Sequence, residues 1–420
     1  MPDPQLITGL DIGSTAIRLA VGQYVVRDGG EGEVHIIGAA EVPADGISRG
    51  VISSIEDAVS SITAALEKAE RMVGNPVSGS WIGISGSHIS SQESRGVVAV
   101  ARSDGEISED DIERAIDAAR TVATPQNYEI LHVIPKSFIV DGQEGIKDPL
   151  GMTGVRLEVD TQIIQGLSAQ IKNLTKAVYR TGIEIEDLVL SILATSEAVL
   201  TNRQKDLGVA VVNIGGSTTS MAVFEEGDIV HTAVLPIGSD HITSDIAIGL
   251  RIGIGTAEKI KLEFGTSESK NVNKRDEVDL SEFEGGEPSP VSLKYIVEII
   301  EARVEEMLER VDDELKKVER SGKLPAGIVL TGSGAKLPGL VEIAKKKLRL
   351  PASLGKPSGI QSTIDKVNDL GFSTAVGLML WGSRLQPNSK GRGFGKLFKQ
   401  MPSFQGTLGR TKKWFQKFIP

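Results

Sequence analysis

Apolar runs of strand length, separated by short polar turns, dominate the start of the chain. Residues 6 to 42 alternate three such runs with turns, which predicts three consecutive antiparallel strands. Apolar positions at helical spacing follow over 54 to 73, where Ser54 and Asp57 have the spacing of a capping box and Gly74 would end the helix. Strands followed by an amphipathic helix predict one half of an α/β domain.

The pattern changes between about residues 81 and 160. Short strand-like runs surround a single predicted helix at 109 to 121, for which Ser108 and Asp111 form a second capping box. We expect a small α+β module inserted into the first domain. A helix predicted at 168 to 180 returns the chain to that domain.

The second half of the chain begins with another hairpin. The apolar run Val209 to Val212 leads into a turn with Gly215 and Gly216 and leaves through a second apolar strand. Farther on, the polar stretch 265 to 290 predicts a surface loop, and apolar positions at helical spacing predict a long helix over 292 to 320. A strand, a glycine-rich turn and a further helix come next.

The two hairpins are related in sequence. Residues 9 to 21 (GLDIGSTAIRLAV) align without a gap to residues 211 to 223 (VVNIGGSTTSMAV), which sets Asp11 over Asn213 and Gly13 over Gly215. An internal repeat of this kind predicts two related halves that face each other.

Each turn offers bare backbone N–H groups and small hydroxyls, a combination that suits a polyphosphate. The hydroxyls are those of Ser14 and Thr15 in the first turn and Ser217 and Thr218 in the second. The turns alone leave open the alternative of a well-made hairpin without a ligand.

Composition narrows the setting of the protein. The chain has no cysteine, which excludes disulfides and thiolate metal sites and fits a reducing cytoplasm. The N-terminus lacks a signal-peptide pattern, and no stretch approaches the roughly 18 apolar residues of a spanning helix. We therefore expect a protein that is soluble or sits on a surface.

Charge is unevenly distributed along the chain. The net charge is −10, but the last 31 residues carry eight Lys or Arg and no acid, so residues 1 to 389 carry −18. The same 31 residues hold six of the 17 aromatic residues. An acidic body thus ends in a basic, aromatic tail, which begins within a predicted linker at 385 to 405.

The pattern of apolar and basic residues over 406 to 420 predicts an amphipathic helix that folds on an anionic membrane surface. Its apolar face carries Trp414, Phe415, Phe418 and Ile419, flanked by Lys412, Lys413 and Lys417. A helix docked on the protein's own core and a nucleic-acid contact are the alternatives. The acidic body gives no support to the latter, so we expect no nucleic acid among the partners.

The run LHVIPKSFIVDGQEGIKDPLGMTGVRLEVD, residues 131 to 160, resembles the inserted subdomain of the FtsA family of bacterial cell-division proteins. The paired hairpins, the turn TGSGAKLPG at 331 to 339 and the tail extend the resemblance over about residues 6 to 384 and the terminal helix. It implies an actin-like (ribonuclease H-like) two-domain α/β ATPase fold with a small α+β insert and a C-terminal amphipathic helix. Heat-shock chaperone and sugar-kinase ATPases share this plan.

The resemblance implies a division of the chain into subdomains. They are subdomain 1A at 6–80 and 163–194, the inserted subdomain 1C at 81–162, subdomain 2A at 195–245 and 326–384, subdomain 2B at 246–325, the linker and the terminal helix.

The resemblance also implies an ATP and Mg²⁺ site. Asp11 would hold the metal through water, and Arg18 stands where relatives keep a phosphate-contacting lysine. Asn213 replaces a catalytic aspartate, so binding should survive better than hydrolysis. Glu197 lies near the place of a water-orienting residue, with a helix-surface glutamate as the alternative.

Nucleotide contacts are expected from both hairpin turns and from the adenosine loop of the superfamily. They are Gly13, Ser14, Thr15, Arg18, Gly215, Gly216, Ser217, Thr218, Glu258, Lys261, Gly332, Ser333, Gly334 and Lys336. For Glu258 and Lys261 an ordinary ion pair within one helix is the competing explanation.

By resemblance, the protein would be a scaffold with at most weak ATPase activity. It would polymerise on the cytoplasmic face of the cell membrane at the division site, tether the FtsZ ring and recruit later division proteins. Lys294 and Arg303 are the candidate cations for the FtsZ C-terminal peptide. A pilus-assembly scaffold and a true phosphotransferase or chaperone ATPase of the same fold remain as alternatives.

Overall fold

The structure, a computed structural model, describes residues 6–26, 32–121, 125–285 and 287–385. The strands are β1 Leu6–Ile12, β2 Ala16–Val26, β3 Gly32–Pro43, β4 Ile47–Ser48, β5 Val51–Ile52, β6 Gly79–Ile84, β7 Ile89–Ala99, β8 Tyr128–Val140, β9 Gln143–Ile146, β10 Arg156–Leu167, β11 Glu184–Leu190, β12 Val209–Ile214, β13 Thr219–Glu225, β14 Asp228–Leu235, β15 Glu277–Asp279, β16 Pro290–Ser292, β17 Ile328–Thr331, β18 Ala352–Leu354 and β19 Gln361–Ser362.

The α-helices are α1 Ile55–Val73, α2 Glu109–Thr121, α3 Ser168–Tyr179, α4 Ser191–Val199, α5 Asn202–Leu207, α6 Ser239–Leu250, α7 Ile254–Phe264, α8 Ser281–Glu284, α9 Leu293–Lys317, α10 Leu340–Leu348 and α11 Ser373–Leu385. Short 3₁₀ turns lie at Ser269–Asn271, Ser333–Lys336, Asp365–Asn368 and Leu370–Phe372. Within the described ranges, no helix has both the length and the apolar character needed to cross a bilayer.

The first lobe is built on a six-stranded sheet in the order β11-β6-β1-β2-β3-β19. The three antiparallel strands predicted at its start are confirmed, since β1, β2 and β3 form a meander. Helix α1 packs its apolar stripe into the core of this lobe. It begins where the Ser54 hydroxyl accepts a hydrogen bond from the Asp57 N–H and ends at Gly74, whose φ of 78° suits a residue without a Cβ.

The second lobe repeats this arrangement in a five-stranded sheet, ordered β14-β13-β12-β17-β18. Asp11 pairs with Arg18 across the first hairpin, and their repeat equivalents Asn213 and Ser220 pair across the second. On the other side of each hairpin lies a parallel strand, β6 in the first lobe and β17 in the second. The predicted internal repeat is therefore confirmed down to strand register.

The insert is a four-stranded antiparallel sheet, β7-β10-β8-β9, with α2 packed against it and a hydrophobic core of its own. The predicted capping box is present: the Ser108 N–H donates to the Asp111 carboxylate at 2.9 Å, and the Asp111 N–H donates to the Ser108 hydroxyl. The boundaries of the insert differ from the predicted 81–162. Strand β6 pairs with β1 and β11 and so belongs to the first lobe, and β10 of the insert continues to Leu167.

A smaller subdomain of the second lobe contains α6, α7 and the long helix α9, which was predicted over 292 to 320. The stretch 265 to 290 was expected to be a surface loop, and this expectation is wrong in part. It contributes β15 and α8 and pairs with β16, because Val278 and Leu280 are buried in the core of this lobe.

Two helices, α4 and α11, connect the lobes and belong to the larger hydrophobic core. They cross closely at Gly377, where a Cβ would overlap the Ala194 carbonyl oxygen. At one end, the hydroxyls of Thr195 and Thr374 lie 2.9 Å apart. The residues that follow α11, from 386 onward, including the predicted linker and membrane-binding residues 412–419, lie outside the described ranges.

Candidate functional site

A polar cleft of about 650 Å³, counting the solvent-open space, lies between the two lobes. It is lined by Asp11, Ile12, Gly13, Ser14, Thr15, Arg18, Gly50, Ser85, Ser191, Asn213, Gly215, Gly216, Ser217, Thr218, Ser220, Gly332, Ser333, Gly371 and Thr374. Both hairpin turns and the loop after β17 thus open onto the same space. Glycines and hydroxyl residues dominate this lining.

The two hairpin turns have the same internal geometry. In the first, the Gly13 N–H donates to the Ala16 carbonyl at 3.2 Å, and in the second the Gly215 N–H donates to the Thr218 carbonyl at 2.9 Å. The turns meet across the cleft at Gly216, where a Cβ would overlap the methyl group of Thr15. The sequence repeat therefore produces two matching turns that close on one cavity.

The second turn is supported from behind by the start of α6. The Ser239 and Asp240 N–H groups donate to the Gly215 and Gly216 carbonyls at 2.9 and 2.8 Å. The Ser217 hydroxyl donates to the Asp240 carboxylate at 3.0 Å. These bonds fix the carbonyl groups of the turn on the side away from the cleft, so its shape does not depend on a ligand.

Asp11 supplies the one carboxylate among the cleft-lining residues that the structure describes. Removal from bulk water raises its pKa to about 6, and the positive charge of Arg18 offsets this rise only in part. A carboxylate that has lost hydration in this way gains more than an exposed one from a bound cation.

Arg18 extends from β2 into the cleft and joins the lobes. Its guanidinium donates to the Glu41 carboxylate and to the Ser333 hydroxyl, both at 2.9 Å. Glu41 is held in turn by Lys366 at 2.8 Å. The Nε of Arg18 is buried and has no hydrogen-bond partner among the described residues, which leaves donor capacity for an anion beside the turns.

Asn213 occupies the position that repeats Asp11, but its amide has a different environment. Its Nδ2 donates to the hydroxyl of Thr374 at 3.0 Å and, more weakly, to that of Thr195 at 3.4 Å. The Asn213 amide is therefore held by the two helices that connect the lobes. It gives the second turn no charge with which to bind a cation or accept a proton.

Glu197 does not line the cleft, contrary to the sequence-based expectation that it orients water there. It lies six residues after the cleft-lining Ser191 on α4, or about 9 Å along the helix. Its side chain, 5% exposed, pairs with Lys205 at 2.6 Å and contacts Arg384. The carboxylate is engaged in a buried ion cluster at the far end of the helix.

The loop after β17 brings Gly332 and Ser333 into the cleft, while Gly334 packs behind it. A Cβ on Gly332 would overlap the Asn213 side-chain oxygen, and one on Gly334 would overlap Ile214. Lys336 does not line the cleft, because its ammonium pairs with Asp369 at 2.6 Å. Glycine at these positions lets the loop lie directly against the second turn.

Glu258 and Lys261 lie beside the cleft on α7 and form the ion pair that was the alternative explanation, at 2.7 Å. Lys261 also donates to the Thr243 hydroxyl at 2.8 Å and to the Ser239 carbonyl at 3.3 Å. The pair thus supports the start of α6, next to the second turn.

A metal ion would find one protein carboxylate here. The described residues contain no cluster of three or more His, Cys, Asp or Glu that could hold a metal by itself. Mg²⁺ commonly binds through one or two carboxylates, with water and phosphate oxygens completing the shell, so Asp11 between two polar turns fits that ion when a phosphate is present.

Several cleft residues were not predicted from the sequence. Ser85 of the first lobe and Ser220 of the second lie 3.0 Å apart through their hydroxyls. Gly50, Ser191 and Thr374 also line the cleft. Apart from Ser220, which lies in the second repeated hairpin, they come from segments that the repeat does not cover.

The predicted partner-binding cations lie on α9, away from the cleft. The Arg303 guanidinium donates two hydrogen bonds to the Asp245 carboxylate, at 2.5 and 2.9 Å, and a third to Glu306. Among the described residues, Lys294 forms one long ion pair, with Glu298 at 3.9 Å.

Family models match two parts of the chain: a model of the SHS2 domain inserted in FtsA covers residues 86–165, and one of the cell division protein FtsA covers residues 210–377. The chain is 36% identical over 415 residues to the cell division protein FtsA of Pseudomonas aeruginosa, covering 98% of both chains. The FtsA of Bacillus subtilis is 38% identical over 384 residues, covering 91% of this chain and 85% of that protein. The FtsA of Escherichia coli K12 is 33% identical, covering 99% and 98%.

Solved structures share the fold at low sequence identity. A chain of the PilM–PilN type IV pilus biogenesis complex has a TM-score of 0.65 at 16% identity, with 90% of this chain and 98% of that chain covered. MreB5 of Spiroplasma citri, solved with ADP, has a TM-score of 0.51 at 14% identity, with 91% and 96% covered. The actin-like fold is thereby established.

The raised pKa of Asp11 predicts a gain in stability on its removal. Between the ordinary value of 3.8 and about 6 the folded state holds more protons than the unfolded state, so the free energy of unfolding falls as pH rises through this window. Asp11→Asn, measured by urea denaturation without nucleotide or metal, should be more stable than the parent at pH 7.5 by about 1–3 kcal/mol. The difference should disappear well below pH 3.8, where the carboxyl group is protonated in both states. Equal stabilities at pH 7.5 would contradict the assignment.

Proposed function

Because the chain belongs to the FtsA family of cell division proteins, we propose that it is an ATP-binding, actin-like scaffold at the division site. It assembles into filaments on the cytoplasmic face of the cell membrane, anchors the FtsZ ring and recruits later division proteins. The observation that carries this proposal is the pair of matching turns, related by an internal repeat, that open onto one polar cleft.

ATP fits this cleft through its triphosphate. Backbone N–H groups of the two turns face the phosphates, together with the hydroxyls of Ser14 and Thr15 on one side and of Thr218 on the other. Ser217, whose hydroxyl donates to Asp240, contributes through its backbone. The Arg18 guanidinium donates to phosphate oxygens beside them. Gly332 and Ser333 lie on the adenosine side, and the MreB5 neighbour was solved with ADP.

Mg²⁺ bound with the nucleotide would neutralise phosphate charge, and Asp11 would hold it through water. Hydrolysis is weak, because Asn213 provides no carboxylate to accept a proton from water and Glu197 is held in its ion cluster. ATP therefore serves chiefly to hold the two lobes in the state that assembles.

The tail, residues 406 to 420, is the membrane anchor in this proposal. Each basic residue at an anionic surface contributes about 1 kcal/mol, and each buried large apolar side chain about 1.5–3 kcal/mol. One copy binds reversibly. Filament assembly multiplies the effect by raising the effective concentration of neighbouring anchors.

The FtsZ C-terminal peptide binds the small subdomain of the second lobe. Ile248 of α6 is 76% exposed and Tyr295 of α9 is 47% exposed. Their neighbour Gly249 of α6 faces α9, where a Cβ would overlap Ile299 and lie near the Tyr295 hydroxyl. Lys294 and Arg251 border this apolar surface and suit an apolar and acidic peptide. Arg303 contributes by holding α6 against α9 through Asp245.

The two alternatives receive less support. The likeness to the pilus protein, at 16% identity, concerns the fold alone, whereas the three FtsA proteins compared above are 33–38% identical over most of the chain. A phosphotransferase would need a catalytic acid next to the second turn, and Asn213 stands there.

The central experiment is vesicle co-sedimentation with electron microscopy. With ATP and Mg²⁺, we expect the full chain to pellet with vesicles that contain anionic lipid and to form filaments on them. The chain without residues 406 to 420 should remain in the supernatant while still binding ATP. Equal pelleting of both chains, or filament formation that is the same with and without ATP, would refute the proposal.

Charge reversal at Lys294 tests the peptide site. Lys294→Glu should weaken binding of a synthetic FtsZ C-terminal peptide about fivefold, as expected for one partly exposed charge contact of roughly 1 kcal/mol. Lys274→Glu, an exposed position of the same subdomain, is the control. Fluorescence anisotropy measures both. If Lys294→Glu bound the peptide as the control does, the site would have to be placed elsewhere.

A further inference from the structure

The end of α11, from which the tail departs, lies beside the short helix α5. Arg384, one residue before the end of α11, contacts Glu197, and Glu197 pairs with Lys205 of α5 at 2.6 Å. The buried cluster therefore fixes α5 next to the point where the described chain ends.

Two further segments continue the same surface. The loop before β17 joins the end of α5, since the Ala326 N–H donates to the Gly208 carbonyl at 2.9 Å. The end of α10 joins that loop, since the Arg349 guanidinium donates to the Ser321 hydroxyl at 3.1 Å. Helix α5, the loop and the end of α10 thus form one continuous face of the second lobe.

This face carries a group of exposed cations that we call the basic rim: Arg203 on α5, Lys323 in the loop, and Lys346 and Arg349 at the end of α10. None of the four forms an ion pair with another described residue, and Arg349 bonds only to the neutral Ser321 hydroxyl. Leu207, four residues after Arg203 on α5, is 50% exposed beside it.

Unpaired cations are informative in an acidic body. Residues 1 to 389 carry −18, so most cations of the folded part have acids within reach. The cationic side chains without an ion-pair partner among the described residues gather largely in two places, the basic rim and the small subdomain of the second lobe. Members of the second group are Arg251, Lys259, Lys270, Lys274 and Arg275.

A simpler explanation covers only part of the basic rim. Lys346 and Arg349 lie at the C-terminus of α10, where cations are stabilised by the helix dipole. Arg203 and Lys323 lie on other segments and are not explained in this way. The exposed acids of these segments without an ion pair among the described residues are Asp206 and Glu319, so the four cations leave the face as a whole with a net positive charge.

We propose that the basic rim is a second membrane contact, through which the folded body binds anionic lipid headgroups. The inference rests on the proposed membrane binding by the tail, which brings this face within reach of the bilayer. Twenty residues separate Leu385 from the amphipathic stretch at 406, a span of at most about 70 Å. The cations of the basic rim can pair with anionic lipid headgroups, and the exposed Leu207 can insert among the lipids beside them.

The second contact gives the body an orientation. The tail alone leaves the lobes free to rotate about its attachment point, whereas the basic rim turns the end of the second lobe toward the lipid. Two linked contacts also bind more tightly than one, because the tail holds the basic rim at a high effective concentration near the surface. The contact should weaken with salt, since exposed charges are screened within about 8 Å at physiological ionic strength.

Charge neutralisation in the full chain tests the proposal. Arg203→Gln with Lys323→Gln and Lys346→Gln should lower the partition coefficient onto vesicles of 30% phosphatidylglycerol at least tenfold at 0.1 M salt. The matched control removes the same charge elsewhere, through Lys270→Gln, Lys274→Gln and Arg275→Gln, and should change it less than twofold. Binding by the first variant equal to the control would overturn the proposal.

The absence of cysteine allows a second readout. A fluorophore attached at Leu207→Cys should be quenched by headgroup-labelled anionic vesicles, whereas one attached at Val155→Cys, a 74% exposed position of the insert, should not. Equal quenching at both positions would overturn the proposal. If the unmodified full chain failed to bind anionic vesicles, or bound as well without residues 406 to 420, the tail proposal would fail instead.

Discussion

The structure depends on the close approach of two hairpin turns, one from each lobe. The methyl group of Thr15 packs where a Cβ of residue 216 would stand, so glycine is the residue type that allows the turns to meet. Because glycines and hydroxyl residues of both turns line the same space, their meeting creates a polar cleft rather than a hydrophobic interface.

The helix pair α4 and α11 links this cleft to the point at which the described chain ends. At the cleft, the Thr374 hydroxyl accepts from the Asn213 amide and lies 2.9 Å from the Thr195 hydroxyl. At the far end, Glu197 holds Arg384 just before the tail begins. The same two helices therefore connect the cleft with the point at which the described chain ends, so the proposed nucleotide site and the proposed membrane anchor share one structural support.

The sequence predicted the paired hairpins because a repeat in the covalent chain carries strand register with it. It did not predict that Glu197 lies outside the cleft. The spacing to Asn213 along the chain does not show that α4 carries Glu197 about 9 Å away from the cleft-lining Ser191. Neither did the sequence reveal that Arg303 pairs with Asp245, because the two residues are far apart along the chain and come together through packing of α6 on α9. The ordered part of 265 to 290 was missed because two buried residues, Val278 and Leu280, sit among polar ones.

Titration calorimetry with ATP and Mg²⁺ tests the central claim most directly. The account predicts one binding site per chain, and loss of that binding in Gly216→Val, whose larger side chain would separate the turns while circular dichroism shows that the lobes remain folded. No heat of binding for the parent chain, or unchanged affinity in Gly216→Val, would contradict the claim that the two turns hold one triphosphate between them.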